Sequence, residues 1–464
     1  MTRSLQFWDS SRGQQRSKGN DMTTARRESS IGSSVFFIPA NRACVAAIDS
    51  YSREIVFAQR EFDRRIPLVV SETDEGPGVT VNAAAVAAAD PAIEALHLTL
   101  PRQRRYFSQL FEGLPTRLFE LFTSGRRDYG TAMNKLYLMT CSLGAEALHR
   151  RDSDTVLLAD ELPADEGRFP VEVELAYLGR RVSQVTAARR SQHIRQAGDP
   201  RICVVGGNYY GEWNLDVKDL ASRSYSYVER LFVLLGFEEE TVPRLCREIF
   251  PEQQAYTDKD EYTLVAKVND GPNADCGNVA ITGVHELLPN VPGRNMLAAD
   301  YFTFDLSTSL GIPSLHHTRA VFHQYSTARF EYDSKLSYWE GVARFADYFN
   351  LYGPMFEHHA LGIAEDKEPV VTAPVAARIR TAVAELEHSD RAPRRDRIEA
   401  IAREVLLPLG EGYARIGHHL LANAERYLDE CNEDYRDHVL LLGQWPSLIE
   451  RAKGMDLRAL SRQS

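Results

Sequence analysis

Two aspartates one residue apart, Asp152 and Asp154, carry the sharpest chemical signal in the 464-residue chain. They sit in Arg151-Asp152-Ser153-Asp154, after an extended pattern that starts at Ala147 and before apolar Val156-Leu157-Leu158. Alternate side chains of an extended segment point the same way, so both carboxylates can converge on one hard divalent cation where a strand ends at a sheet edge. A second copy, Asp258-Lys259-Asp260, lies in the polar stretch Tyr256 to Tyr262 and reads as a solvated turn. Imidazole comes from Leu315-His316-His317-Thr318-Arg319, with His323 and Arg329 just beyond. Either His316 or His317 can complete such a metal site, though not both, because neighbours in a strand face opposite ways. The competing reading is a polar strand end with hydrogen-bonded histidines. A further aromatic group, Tyr209, Tyr210 and Trp213, offers rings for stacking on a ligand, or for anchoring a loop.

These side chains need a frame. Val35 to Ile38, Ile66 to Val70, Ala95 to Leu98 and Ile202 to Val205 are short apolar runs, and helical spacing lies between several of them, as at Val45, Ile48, Ile55 and Ala58. Alternating strand and helix is the pattern of an α/β sheet with covering helices. Helical spacing from Ala132 to Leu143 precedes the aspartates, and Gly144 stands where a helix stop belongs. Gly206 to Trp213 reads as a loop rich in glycine and aromatic residues, and Asn278 to Ile281 as a further strand. After residue 335 the texture turns helical, punctuated by Pro369, Pro374 and Pro408. Residues 1–33 are rich in Ser, Arg, Gly and Gln and are expected to form a disordered tail. The division is therefore a tail (1–33), an α/β domain (34–334) that carries the candidate site, and a helical C-terminal subdomain (335–464).

Composition narrows the function. A formal net charge of −11 argues against broad nucleic-acid or anionic-lipid binding. No apolar run approaches the roughly 20 residues of a membrane span, and no apolar core of a signal peptide is present, so the expected location is cytoplasmic. The six cysteines, at 44, 141, 203, 246, 276 and 431, show no CxxC and no paired spacing, which indicates neither a disulfide framework nor a cysteine zinc site. No P-loop, GxGxxG or GxSxG pattern occurs.

Over residues 35 to 330 the sequence resembles the metal-dependent glycosyltransferases of the GT-A fold, whose Asp-x-Asp motif binds a nucleotide-sugar at the C-terminal edge of an open sheet. Ile38-Pro39-Ala40-Asn41-Arg42 looks like the first strand and nucleotide-contacting loop, and Glu72 and Asp74 stand where that family often places an acid on the nucleoside. Gly130 to Leu143, with Asn134 and Lys135, resembles the helix before the motif; Gly277 to Ala280 resembles the acceptor-side loop; and Asp300-Tyr301-Phe302 resembles the later acidic motif. That motif is usually Glu-Asp, and here it is Ala299-Asp300, so Asp300 reads either as a base or as a helix N-terminal acid. The resemblance implies an open mixed sheet flanked by helices and transfer of a sugar from a nucleotide-diphosphate donor to a small acceptor. It implies Mn2+ or Mg2+ held by Asp152 and Asp154 with a late histidine. Arg42, Lys135, Arg150 and Arg151 are the candidates to neutralise the diphosphate, and Ser153 lies between the two aspartates. A bacterial family found beside natural-product genes is also similar. Self-association is expected through the helical C-terminus. Two other activities fit less of the sequence: a nucleotidyltransferase that makes the sugar nucleotide, and a binding protein without catalysis.

Overall fold

The computed structural model describes residues 29–191, 194, 199–211, 217–250, 254–266, 271–324, 331–356 and 372–462. Its strands are β1 (Ser34–Ala40), β2 (Leu68–Glu72), β3 (Ala95–Leu98), β4 (Ala147–Arg151), β5 (Thr155–Leu157), β6 (Arg189–Arg190), β7 (Val204–Gly211), β8 (Tyr262–Val265), β9 (Asn278–Thr282) and β10 (Ser314–His323). They form one mixed sheet in the order β3-β2-β1-β4-β9-β7-β10-β8-β6, with β5 paired to β10. Strands β1 to β4 run parallel, β9 runs antiparallel between β4 and β7, and β10 runs parallel to β7. The C-terminal ends of β1, β2, β4, β7 and β10 therefore share an edge with the first residue of β9. The expected open mixed α/β sheet with a helical C-terminal region is what the chain forms.

The apolar runs become strands because helices cover both of their faces. Phe36 and Ile38 point to one side of β1, where the helix Val45–Phe62 brings Ala47, Ile48, Tyr51, Ile55 and Ala58 down on them at helical spacing. Val35 and Phe37 point to the other side, into a core that also holds Leu148, Val204, Trp339, Ile416, Leu420 and Trp445. That second face is closed by the helix Tyr129–Ser142 and by the C-terminal helices Tyr332–Tyr352, Thr372–His388, Ala392–Ala400 and Glu411–Lys453. The last of these has 43 residues, about 65 Å at 1.5 Å per residue. The change of texture near residue 335 is thus a change of secondary structure within a continuous core.

Three expectations need correction. Gly206 to Gly211 is strand β7, not a loop: it lies between β9 and β10, and its glycines let the neighbours come close, since a Cβ on Gly206 would lie 2.4 Å from the Asn278 carbonyl. The Asp258 to Asp260 segment is not merely a solvated turn. Asp260 accepts from Nε and Nη2 of buried Arg319 at 3.0 and 2.9 Å and from Arg168 at 3.1 Å, and these cations hold its carboxyl well below the usual range against the opposing effect of burial. The end of the polar N-terminal segment is packed: Ile31 is buried, and Ser30 Oγ donates to the Leu178 carbonyl at 3.0 Å. Residues 1–28, Trp213 and Arg329 lie outside the described residues.

Candidate functional site

The site residues collect at the shared C-terminal edge because β4 ends at Arg151 and the chain turns through Asp152, Ser153 and Asp154 before β5. The turn is fixed from within, as the Asp152 carbonyl accepts from the Thr155 amide at 3.2 Å and from Thr155 Oγ1 at 2.9 Å. The two carboxylates have different partners. Asp152 Oδ1 accepts from Arg150 Nη2 at 2.9 Å and Oδ2 from the Tyr209 hydroxyl at 2.5 Å. Asp154 Oδ2 lies 3.1 Å from Arg42 Nη1 and 3.7 Å from His323 Nε2. His323 stacks on Tyr209 with ring centroids 5.3 Å apart.

A second layer holds these groups in place. The Tyr209 amide donates to Asp275 Oδ2 at 2.8 Å, the Tyr301 hydroxyl donates to Asp275 Oδ1 at 3.2 Å, and the Gly277 amide donates to the Tyr209 hydroxyl at 2.9 Å. Glycine at 277 lets these groups approach, because a Cβ there would lie 2.5 Å from the Tyr209 hydroxyl and 2.6 Å from Asp152 Cγ and would displace them. Burial, with Asp152 beside it, pushes the Tyr209 phenol well above its usual range, so it remains a proton donor to Asp152. Asp300 is buried and bound to Arg150 Nη1 at 2.7 Å, so its charge is already matched by a guanidinium. Burial and the neighbouring Asp300 push the Asp305 carboxyl up to about 8.

The other expected residues divide between the site and its supports. Pro39 is half-buried in β1, one residue before its end; exposed Asn41 accepts from Arg42 Nε at 2.8 Å; and Ser153 is half-buried in the turn between the aspartates. Glu72 is 1% exposed and holds His97 Nε2 at 2.7 Å and Asn82 Nδ2 at 3.0 Å. Asn82 in turn donates to the Arg42 carbonyl and accepts from the Cys44 amide, both at 2.8 Å, so Glu72 acts here by anchoring the loop after β1. Asp74 lies in the exposed turn beyond β2, accepting from the Glu75 amide. Asn134 is buried and clamps the main chain of Asn290 at both ends. Lys135 lies near the Phe107 ring, and burial lowers its pKa to about 8.

Arg151 and the two early histidines are not brought to the edge. Arg151 is fully buried between Glu54 and Glu174, each 2.9 Å away, on the face opposite Arg150, as strand alternation requires. His317 is fully buried with neither ring nitrogen hydrogen-bonded, and burial holds its pKa down at about 3. His316 bonds Asn208 Oδ1 through Nε2 at 2.7 Å. Both lie near the start of β10, about 20 Å of extended strand before its end. The imidazole that reaches Asp154 is His323, the last residue of the strand. Its place after the other two histidines, nearer the strand end, was the signal available in the sequence. Asp275 had no signal of its own, and Tyr301 stood out only as the middle of Asp300-Tyr301-Phe302.

A divalent cation suits this donor set. Ligand atoms on one ion at metal–ligand distances near 2.1 Å stand about 3 to 4 Å apart, which matches the separation of Asp154 Oδ2 and His323 Nε2. Among the described residues no helix is long and apolar enough to cross a membrane.

Comparison with known proteins gives a family. The model of a family described as "Family of unknown function (DUF6271)" matches residues 34–461, and the chain belongs to that family. No curated protein matches it. Among solved structures it is similar to the mannosyltransferase PcManGT from Pyrobaculum calidifontis in complex with GDP-Man and Mn2+, at 12% identity over 85% of this chain and 86% of that one, with a TM-score of 0.35. It is also similar to mannosyl-3-phosphoglycerate synthase from Rubrobacter xylanophilus, at 14% identity, 72% and 79% coverage and a TM-score of 0.35. Glucosyl-3-phosphoglycerate synthase from Mycobacterium tuberculosis, in complex with phosphoglyceric acid, gives 12%, 69% and 80%, and 0.35.

Proposed function

We propose that this member of DUF6271 is a glycosyltransferase that moves a sugar from a nucleotide-diphosphate donor to a small acceptor. One observation carries the reading. The strand order runs from β1 to β2 and β3 on one side and to β4 on the other, so the sheet has a topological switch point between β1 and β4. Ligands of open α/β sheets bind in the crevice outside the strand ends at such a point. Here that crevice is bounded by Asn41 and Arg42 after β1 and by the Asp152 to Asp154 turn after β4, joined by the contact of Arg42 with Asp154.

Asp154 and His323 would hold the divalent ion, with Mn2+ or Mg2+ as the candidates, and the bound ion would offset charge on the departing diphosphate. Arg42, its side chain about one-third exposed, presents a guanidinium to a phosphate oxygen. Asp152 orients rather than ligates: its two oxygens fix Arg150 and the Tyr209 ring, and Tyr209 backs His323. Asp300 acts through the same guanidinium from its other side, a positioning role in place of the base role expected for it.

The test is release of free sugar from UDP-, GDP- and dTDP-sugars with and without Mn2+ or Mg2+, in wild type and Asp154→Asn. Metal-dependent release with at least one donor, reduced a hundredfold or more in the variant, is the expected result. Formation of a nucleotide-sugar from a nucleoside triphosphate and a sugar phosphate would replace the reading with a nucleotidyltransferase. Donor binding without turnover, with or without an acceptor, would replace it with a binding protein.

A further inference from the structure

A second cluster of ligating side chains lies off the opposite edge of the sheet. Cys141, near the end of the helix Tyr129–Ser142, meets His285 and Glu286, both in the short helix Val284–Leu287. One ligand atom from each, the Cys141 sulfur, a His285 ring nitrogen and a Glu286 carboxylate oxygen, lie within 4.8 Å of one another, the one such group among the described residues. Thr282, three residues before His285, pairs with Ala147 at the start of β4, whereas Asn278 pairs with Arg151 at its end. The cluster is therefore separated from the aspartates by the length of the strand.

The observation that points to a ligand is His285. It is 0% exposed, and neither ring nitrogen has a hydrogen-bond partner. A buried polar group without a partner costs about 1 to 3 kcal/mol, and such a group in a native fold needs an explanation. Its backbone carbonyl accepts from Trp445 Nε1 at 3.2 Å, and its ring packs against Tyr137 with centroids 5.8 Å apart.

We propose that Cys141, His285 and Glu286 form a zinc site. Thiolate, imidazole and carboxylate together match a borderline-soft, four-coordinate ion, with water in the remaining position. On binding, the Cys141 thiol releases its proton to solvent as the sulfur–metal bond forms. Glu286 is shared with Lys453 Nζ at 2.7 Å, and its carboxylate has lone pairs for both. Glu286 is about one-third exposed, which supplies the entry path. The ion joins the helix that leads into β4 to the segment that follows β9, beside the end of the long C-terminal helix, so its role is structural.

The full-length chain carrying Asp154→Asn, stripped of metal with a chelator, is titrated with Co2+. One cobalt per chain with a thiolate-to-cobalt absorption band is expected, and Zn2+ should displace it. The band should vanish in Cys141→Ala and the affinity for Zn2+ should fall at least tenfold in His285→Ala. Saturation with Co2+ without that band overturns the proposal, and so does a band that survives Cys141→Ala. The first of these outcomes is read on a chain with all three ligands intact, so it decides the matter even if the ligand variants fold poorly. Sugar transfer plays no part in the readout, which keeps this test independent of the donor site.

Discussion

Arg150 and Arg151 are adjacent on β4, yet replacing each with methionine should do different things. Arg151 lies between Glu54 and Glu174 with all three side chains at 0% exposure, and His149 Nδ1 adds a 2.6 Å bond to Glu174. Removing the cation leaves two buried carboxylates facing each other, a change that costs about 3 to 5 kcal/mol. With an unfolding entropy of about 2.1 cal/mol/K per residue over roughly 430 folded residues, the melting temperature should drop by about 3 to 6 °C. The pH dependence is the fingerprint. In the wild type burial raises the Glu174 carboxyl, but Arg151 and His149 outweigh it and hold the pKa at about 2, below its unfolded value of about 4.3. That contribution is fully present above about pH 4.5 and is lost as pH falls toward 2. Burial already raises the Glu54 carboxyl in the wild type, and in Arg151→Met the loss of the guanidinium raises both carboxyls further, with only His149 and the Val171 amide left to oppose it, so the variant loses stability as pH rises through that window. The deficit against wild type should therefore be largest near pH 8 and shrink toward pH 4.5. Arg150→Met, by contrast, should lose about 1.5 to 3 kcal/mol from its bonds to Asp152 and Asp300, with about a hundredfold loss of donor turnover as Asp152 is released. Thermal melts of both variants from pH 4.5 to 8, with donor hydrolysis at pH 7.5, make the comparison. A deficit in Arg151→Met that is flat with pH, or full turnover in Arg150→Met, would refute the division of labour between the two faces of β4.

Gly277→Ala should push the Asp152 carboxylate about 1 Å, costing about 1 to 3 kcal/mol in a denaturant melt and about a hundredfold in donor hydrolysis. His323→Gln should weaken Mn2+ binding in the presence of a nucleoside diphosphate at least tenfold by calorimetry, while His316→Gln and His317→Gln leave it within error; equal losses in all three would remove His323 from the site. Asp260→Ala should lower stability by about 1.5 to 3 kcal/mol, because Arg319 loses its bidentate partner but keeps Glu172 and the Phe169 carbonyl, while donor turnover per folded molecule stays unchanged.

The frame was legible because apolar runs such as Val35 to Ile38 and helical spacing such as Ala47, Ile48, Tyr51 and Ile55 state burial directly. The placing of the two aspartates just beyond a strand end was legible from the extended pattern before them, but their partners Arg150, Tyr209 and Arg42 were not. The facing of Arg150 against Arg151 was implicit in the same alternation, but which arginine met the core depended on Glu54 and Glu174, far away in sequence and invisible without the fold. Glu72 and Asn134 looked like ligand residues because polar side chains at a strand end or before a motif resemble a site. Each instead serves a main-chain loop, and polar type alone cannot tell a ligand from a brace. Glycines misled at Gly206 and Gly207, where close strand approach rather than a turn requires them.

The helix Glu411–Lys453 closes the sheet face that carries Val35, Phe37 and Leu148. Its ties reach far back along the chain: Ser142 Oγ donates to the Ala452 carbonyl across 310 residues, and Arg117 pairs with Asp437 across 320. Contacts this distant in sequence cannot form on the ribosome until nearly the whole chain has emerged. At about 5 to 20 residues per second, the last hundred or so residues take roughly 5 to 20 s to make. For that interval the strands can exist with one apolar face open to the cell, which makes the nascent chain dependent on holding chaperones and slow to fold. A ribosome stalled near residue 400 should therefore display a chain that is still sensitive to protease, and release of the helix Glu411–Lys453 should make it resistant.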